Sequence, residues 1–267
     1  MEIQLWKEIL TPYDLAVEEL LVKFNHIIKE YHSRDLYSPI ETVTGRVKSI
    51  SSILEKCHKK SIPLEEVTTK LFDLAGLRIM CQFVEDIYVV VDIIKSRTDM
   101  EVVEEKDYIS NPKASGYRSY HMIVKYRVET MDGTKDIYVE IQVRTLAMNF
   151  WSTIEHSLQY KYRQNIPDAI RDRLNESASA ILKLDQEMSS IHEEIMDAQS
   201  NFIVHANIIT EILNNIQDLY KVANKKEVMK IQDEFFEIYN KDDLNELRSF
   251  ARQLDIIAEG YRAQSLN

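Results

Sequence analysis

IYVEIQVRTLAMNFW, residues Ile137 to Trp151, changes period at its middle. Ile137, Val139, Ile141 and Val143 are apolar and β-branched, with Tyr138, Glu140, Gln142 and Arg144 between them. A period of two predicts a strand with one buried and one polar face. Glu140, Gln142 and Arg144 then project together from a rigid element. From about Thr145 the apolar spacing turns helical, so a helix is expected over Leu146 to Tyr162, broken at Ile166-Pro167. A carboxylate, an amide and a guanidinium on one strand face fit the floor of a polar site. They fit a solvated strand face equally well, and the alternation does not choose.

Working upstream, Ser119 to Thr130 reads as the partner strand, turned by Met131-Asp132-Gly133. His121 lies at its start, where a single histidine is more often structural than catalytic. SNPKASGYRSY, Ser110 to Tyr120, is a loop by its Asn-Pro and Ser-Gly pairs. Its Lys113, Tyr117 and Arg118 suit a ligand that carries a stacking base and phosphates, or a plain surface loop with one packed tyrosine. Glu101 to Ile109 gives a short strand ending in charge, and Glu85 to Arg97 an amphipathic helix.

LFDLAGLRIMCQF, Leu71 to Phe83, turns into a strand over 77–83, with Asp73 just before it and Arg78 just inside. An acid in that place serves as a metal ligand or as a helix cap. In GRVKSISSILEKCHKK, Gly45 to Lys60, a helical apolar stripe runs through Val47, Ile50, Ile53 and Leu54. Lys48, Ser52 and Lys56 recur every four residues on another face, behind Arg46. Stacked lysines and a serine can hold a polyphosphate; a solvated basic face gives the same pattern. Pro12 to about Tyr31 is helical, with Pro12 in the first turn.

Downstream, a long helix is expected from Asp168 to about Ala198. Leu174, Ile181, Met188 and Ile195 repeat every seven residues, as do Leu184, Ile191 and Ala198, a seam suited to packing on the domain or on another subunit. Further helices are expected around Ile209–Tyr220, Val228–Tyr239 and Leu244–Tyr261. The sequence therefore divides into 1–200, which carries the candidate chemistry, and 201–267, a helical extension for contacts.

The net charge of −11 is unevenly spread. Gln164 to the end holds 19 acids and 11 bases, leaving 25 of the 44 acids and 22 of the 33 bases upstream. Duplex-DNA binding by a broad basic face is not expected, although an anionic ligand can still be met where bases converge. No apolar run approaches the roughly 20 residues that span a bilayer, and the N-terminus has no signal-peptide pattern. Cys57 and Cys81 give neither a disulfide framework nor a zinc spacing. A cytoplasmic location without membrane contact is expected.

Four separated segments, GRVKSISSILEK, DLAGLRIMCQF, KASGYRSYH and VEIQVRTLAMNFWSTIEHSLQYKY, stand in an order and spacing that resembles the synthetase domain of the RelA/SpoT homologue superfamily. The similarity covers roughly Met1 to Ser200 and is to its small alarmone synthetases of the RelQ type. The resemblance implies an α+β fold, a mixed β-sheet of about five strands flanked by helices as in nucleotidyltransferases, with long C-terminal helices. The strands read from the sequence, 77–83, 101–108, 119–130 and 135–144, agree with it. The implied activity is transfer of the β,γ-pyrophosphate of ATP to the ribose 3′-oxygen of GTP or GDP, with GMP a further candidate acceptor. AMP and guanosine penta- or tetraphosphate, the alarmones of the stringent response, are the products.

By the same resemblance, Asp73 and Glu140 hold Mg²⁺, and Glu140 draws the proton from the 3′-hydroxyl. Arg46 and Arg78 sandwich adenine, and Lys48, Ser52 and Lys56 hold the ATP phosphates. Lys113 and His121 contact acceptor phosphates, Tyr117 stacks on guanine and Asn149 reads its edge. Gln142, Arg144 and His156 line the acceptor pocket. The longer relatives hydrolyse alarmones with a His-Asp doublet. No histidine here is followed by Asp, so synthesis without hydrolysis is expected, with no room for regulatory domains. A homotetramer through terminal helices is implied, with a guanosine alarmone or single-stranded RNA as candidate allosteric ligands. Leu21 and Asn25 stand where product-binding relatives carry bases, so weak or absent product activation is expected. The mixed charges of Glu104-Glu105-Lys106-Asp107 leave the acceptor preference open. The competing expectation is a catalytically weak nucleotide- or RNA-binding sensor of the same fold.

Overall fold

The computed structural model describes residues 2–161, 167–241 and 243–265. Its elements run α1 (Glu2–Ser33), β1 (Thr42–Val47), α2 (Ile50–Lys60), α3 (Val67–Lys70), β2 (Ala75–Cys81), α4 (Val84–Ser96), β3 (Met100–Asp107), β4 (Tyr120–Thr130), β5 (Gly133–Thr145), α5 (Leu146–Lys161), α6 (Asp168–Val222), α7 (Lys225–Lys241) and α8 (Leu244–Ser265). The five strands form one sheet in the order β1-β2-β5-β4-β3. Only β2 and β5 are parallel; the other neighbours are antiparallel. The fold is the expected mixed five-stranded sheet flanked by helices.

Two compact units divide the chain, Met1–Ser190 and Ile191–Asn267. In the first, Leu77, Ile79, Val139, Ile141, Val143, Met122 and Val124 are almost fully buried together with Phe24 and Leu20 of α1 and Ile87, Val90 and Ile94 of α4. Each full burial of such a side chain is worth about 1.5–3 kcal/mol. The second unit has its own core, in which Ile212, Ile216 and Leu219 meet Val228 and Phe235 of α7 and Leu247, Phe250 and Leu254 of α8.

Several boundaries differ from expectation for identifiable reasons. Helix α1 starts upstream of Pro12 and carries that proline inside it. Strand β1 was hidden because Gly45 weakens a strand pattern and because Val47 also fits the helical stripe that follows. Gly45 is needed there: a Cβ would stand 2.7 Å from Val17 of α1. Helix α2 begins only at Ile50, capped by Ser49, whose hydroxyl accepts from the Ser52 N–H at 3.4 Å. Lys48 therefore precedes the helix and does not share a helical face with Ser52 and Lys56. Tyr162 and Ile166, where α5 was expected to end and break, lie outside the described residues.

Helix α6 continues past Ala198 to Val222, because nothing between supplies a glycine or proline to stop it. The heptad residues Leu184, Met188, Ile191 and Ile195 remain 40–50 % exposed. The buried face is instead Ala178, Asp185 and Ser189. Thr145 Oγ1 donates to Asp185 at 2.8 Å and Ser189 Oγ to Glu85 of α4 at 2.8 Å. Small and polar groups occupy this face because it meets a glycine, a hydroxyl and a carboxylate, not an apolar groove.

Burial pushes the Asp185 carboxyl up to about 6, with the charge of Glu85 adding to the effect and the Thr145 hydroxyl opposing it. A folded-state value above the unfolded one means that this group's contribution is fully present below about pH 4 and is lost as pH rises through about 6. Asp185→Asn keeps an acceptor for Thr145 without the charge. It is expected to stabilise the chain at pH 7.5 by about 1–2 kcal/mol, read as a higher urea midpoint, with the difference fading by pH 4. A lower midpoint at pH 7.5 would show instead that the ionised carboxylate is needed.

Candidate active site

Strand β5 lies at the centre of the sheet, and its register assembles the polar face. Gly76 and Arg78 of β2 stand beside Glu140 and Gln142, and His121 of β4 stands on the other side of Gln142. Arg46 of β1 is opposite Gly76. Residues directly opposite one another share a face, so Arg46, Arg78, Glu140, Gln142 and His121 project from the same side. Gly76 places no side chain between Arg46 and Glu140, which leaves floor space there.

Asp73 sits in the turn that leads into β2. Its Oδ2 accepts from Lys48 Nζ at 2.6 Å and from Lys56 Nζ of α2. Its Oδ1 is buried and has no hydrogen-bond partner. Burial pushes this carboxyl up, but the two lysines outweigh burial and hold it below the usual range. Glu140 is balanced similarly: burial raises it, and His121 and Gln142 bring it below the ordinary value. His121 Nδ1 is 3.1 Å from Glu140 Oε1, and Gln142 Nε2 donates to Oε2 at 2.8 Å. The charge of Asp73 is close enough to act on Glu140 in the opposite sense. Both acids are thus ionised at neutral pH.

The loop between β3 and β4 closes over the His121 side. Tyr117 OH is 2.8 Å from His121 Nε2, and Lys113 Nζ lies over the rings of Tyr108 and Tyr117, 4.7 and 4.9 Å from their centres. Gly116 has φ +81°, and a Cβ there would stand 2.5 Å from Cβ of Ala178 on α6. Only glycine meets both demands. Arg118 donates to the Ile109 carbonyl at 2.6 Å and pins the loop base.

Residues 45–165 match the family model described as a region found in RelA / SpoT proteins. The chain is 54 % identical over 202 residues to GTP pyrophosphokinase YjbM of Bacillus subtilis (strain 168), an alignment that spans 76 % of this chain and 95 % of that one. The chain belongs to the RelA/SpoT family. Among solved family structures, the small alarmone synthetase 1 from Bacillus subtilis bound to its product pppGpp superposes with a TM-score of 0.70 at 54 % identity, covering 72 % of this chain and 98 % of that one. The same protein bound to AMPCPP gives 0.65 at 50 % identity, covering 73 % and 99 %.

Against the residues expected from the family resemblance, the geometry is uneven. Asp73, Lys48 and Lys56 converge, as do Glu140, Gln142, His121, Tyr117 and Arg144. Ser52 Oγ pairs with Ser49 Oγ at 2.9 Å and is exposed, as is Arg46. Asn149, on the first turn of α5, presents a buried Oδ1 with no partner. His156 is exposed farther along α5. Arg144 is only 2 % exposed. Its Nη1 donates to Ser152 of α5, and its Nη2 to Gln142 and, at 3.1 Å, to Tyr117.

Sequence reasoning missed Tyr108, Ser152 and Glu155. The Tyr108 ring meets His121 edge-on at 5.1 Å, yet it ends a strand that reads as solvent-facing. Ser152 and Glu155 are buried on α5, and burial pushes the Glu155 carboxyl up, against the charges of His156 and Lys113. Their spacing from Met148, at four and seven residues, was the available signal.

Proposed function

We propose that this chain is a GTP/GDP 3′-pyrophosphokinase, a synthetase of guanosine penta- and tetraphosphate. The observation that carries the proposal is the acid pair, Asp73 and Glu140, flanked on one side by converging lysines and on the other by an aromatic loop. The 54 % identity with a GTP pyrophosphokinase supports the same reading. In the reaction the acceptor 3′-oxygen forms a bond to the β-phosphorus of ATP, the bond from that phosphorus to the α-phosphate oxygen breaks, and AMP leaves. Glu140 takes the 3′-hydroxyl proton. Lys48 and Lys56 neutralise the donor phosphates and Arg46 and Arg78 flank its base. Tyr117 stacks on the acceptor base. The unpartnered Asn149 Oδ1 complements the N–H edge of guanine.

The acid pair suits Mg²⁺, a hard cation held by one or two carboxylates together with substrate phosphates. Among the described residues no cluster of three or more metal-ligating side chains exists, which agrees with a metal that arrives with the nucleotide. Asp73 Oδ1, buried and unpartnered, is the free ligand atom, and Glu140 is near enough to feel the Asp73 charge. When bound, Mg²⁺ supplies charge neutralisation across the phosphates.

Incubating the protein with Mg²⁺ and ATP plus GMP, GDP or GTP in parallel, then separating the nucleotides, tests the proposal. AMP together with a tetra- or pentaphosphate is the expected result and also gives the acceptor preference; their absence overturns it. A weak sensor would lack an acid or the phosphate-binding helix, and Asp73, Glu140 and α2 are all in place. A homotetramer is supported by the exposed apolar positions of α6 and is read by light scattering. A cytoplasmic location fits the two free, buried cysteines. Among the described residues no helix is long and apolar enough to cross a membrane.

A further inference from the structure

The contacts around Glu140 close on themselves. Glu140 Oε1 meets His121 Nδ1 at 3.1 Å, and His121 Nε2 meets Tyr117 OH at 2.8 Å. Tyr117 OH accepts from Arg144 Nη2 at 3.1 Å, Arg144 Nη2 also donates to Gln142 Oε1, and Gln142 Nε2 returns to Glu140 Oε2 at 2.8 Å. Five side chains from β4, β5 and the β3–β4 loop form one ring, and each carboxylate oxygen of Glu140 is held from a different side.

Arg144 is the unusual member. A guanidinium removed from water normally has a carboxylate partner, because its desolvation costs several kcal/mol. Among the described residues no carboxylate hydrogen-bonds to Arg144, and its Nε has no partner at all. At 2 % exposure it is closed off from a ligand on the open face. What it does hold is geometry. Its planar fork spans Ser152 on α5, Gln142 on β5 and the Tyr117 hydroxyl, and it lies 5.5 Å from the centre of the Tyr117 ring. A lysine has three donors, but they sit on one compact nitrogen, which could not span partners that Arg144 meets from two nitrogens of a rigid planar fork.

We propose that Arg144 and the Tyr117 hydroxyl are positioning groups that close this ring and fix the Glu140 carboxylate in its reactive orientation. The ring face of Tyr117 then receives the acceptor base while its hydroxyl reports that seating to Glu140. This rests on the pyrophosphokinase reading given above. It differs from a role for Arg144 as a lining residue of the acceptor pocket and from a purely stacking role for Tyr117.

Tyr117→Phe separates these roles, because it keeps the stacking ring and removes only the hydroxyl. The ring hypothesis expects kcat to fall about tenfold or more, with KM for GDP within about twofold, since a misplaced catalytic group costs rate before binding. Arg144→Lys is expected to fall further in kcat, and the double variant to be no slower than Arg144→Lys alone, because both changes open the same ring. Melting temperature and ATP affinity, measured for each variant, confirm that the fold is retained; Tyr117→Phe, which loses one oxygen, carries the test if Arg144→Lys does not fold. An unchanged kcat in Tyr117→Phe, or a KM that moves more than kcat, overturns the proposal. If the wild-type protein forms no AMP, the failure belongs to the pyrophosphokinase reading instead.

Discussion

Glu140→Gln is expected to lower the rate of AMP formation by about 10³-fold while ATP affinity changes by less than about threefold. The substitution is isosteric, so the side chain keeps its length and still offers an oxygen to Gln142. It cannot accept the 3′-hydroxyl proton. Because His121 and Gln142 hold the Glu140 carboxyl below its ordinary value despite burial and the nearby Asp73, its charge contributes to stability, and removing it is expected to lower the melting temperature modestly. Turnover by nucleotide separation and ATP binding by a fluorescent analogue give the two numbers. A loss below about tenfold would remove Glu140 as the base and leave it a role in positioning.

Asp73→Asn is expected to stop turnover to a similar degree, about 10²–10³-fold, but with an opposite effect on binding. Lys48 and Lys56 now share one carboxylate oxygen. Without that negative charge, both ammonium groups lose their partner and become freer to meet phosphate. ATP affinity measured in EDTA should therefore rise in the variant, while the gain in affinity on adding a divalent cation should shrink. Unchanged affinity in EDTA would mean that these lysines do not hold the donor phosphates. A rise in affinity would mark these ion pairs as a resting arrangement, in which the lysines proposed to bind phosphate occupy the acid proposed to bind metal until the nucleotide arrives.

Alternation along Ile137–Thr145 was enough to place Glu140, Gln142 and Arg144 on one face, because a central strand keeps its period of two without interruption. The same rule could not distinguish Glu140, which borders open space, from Arg144, which α5 covers. That difference depends on Ser152, eight residues away and in another element. Asp73 was recognisable as an acid before a strand, but its lysine partners come from a capped turn and a helix, and the capping by Ser49 decides which residues are helical. Strand β1 was invisible because one glycine and one shared valine fitted a helix equally well. The heptads of α6 suggest a seam for packing on the domain or on another subunit, yet the face buried in this chain belongs to Ala178, Asp185 and Ser189, since docking there is by small size and hydrogen bonds.

Strand β3 closes one side of the sheet, and among the described residues its outer backbone groups have no strand to pair with. Bare edges of this kind recruit extended segments of other molecules and seed aggregates. Glu101, Glu104, Glu105 and Lys106 are all exposed along this edge, and the register slips between Val102 and Glu104. A foreign strand approaching it would meet mixed charge and a kinked backbone that offers no continuous ladder. The charges that leave the acceptor preference undecided therefore have a second consequence: they fence the sheet, so that copies of this chain can crowd together without adding strand to strand.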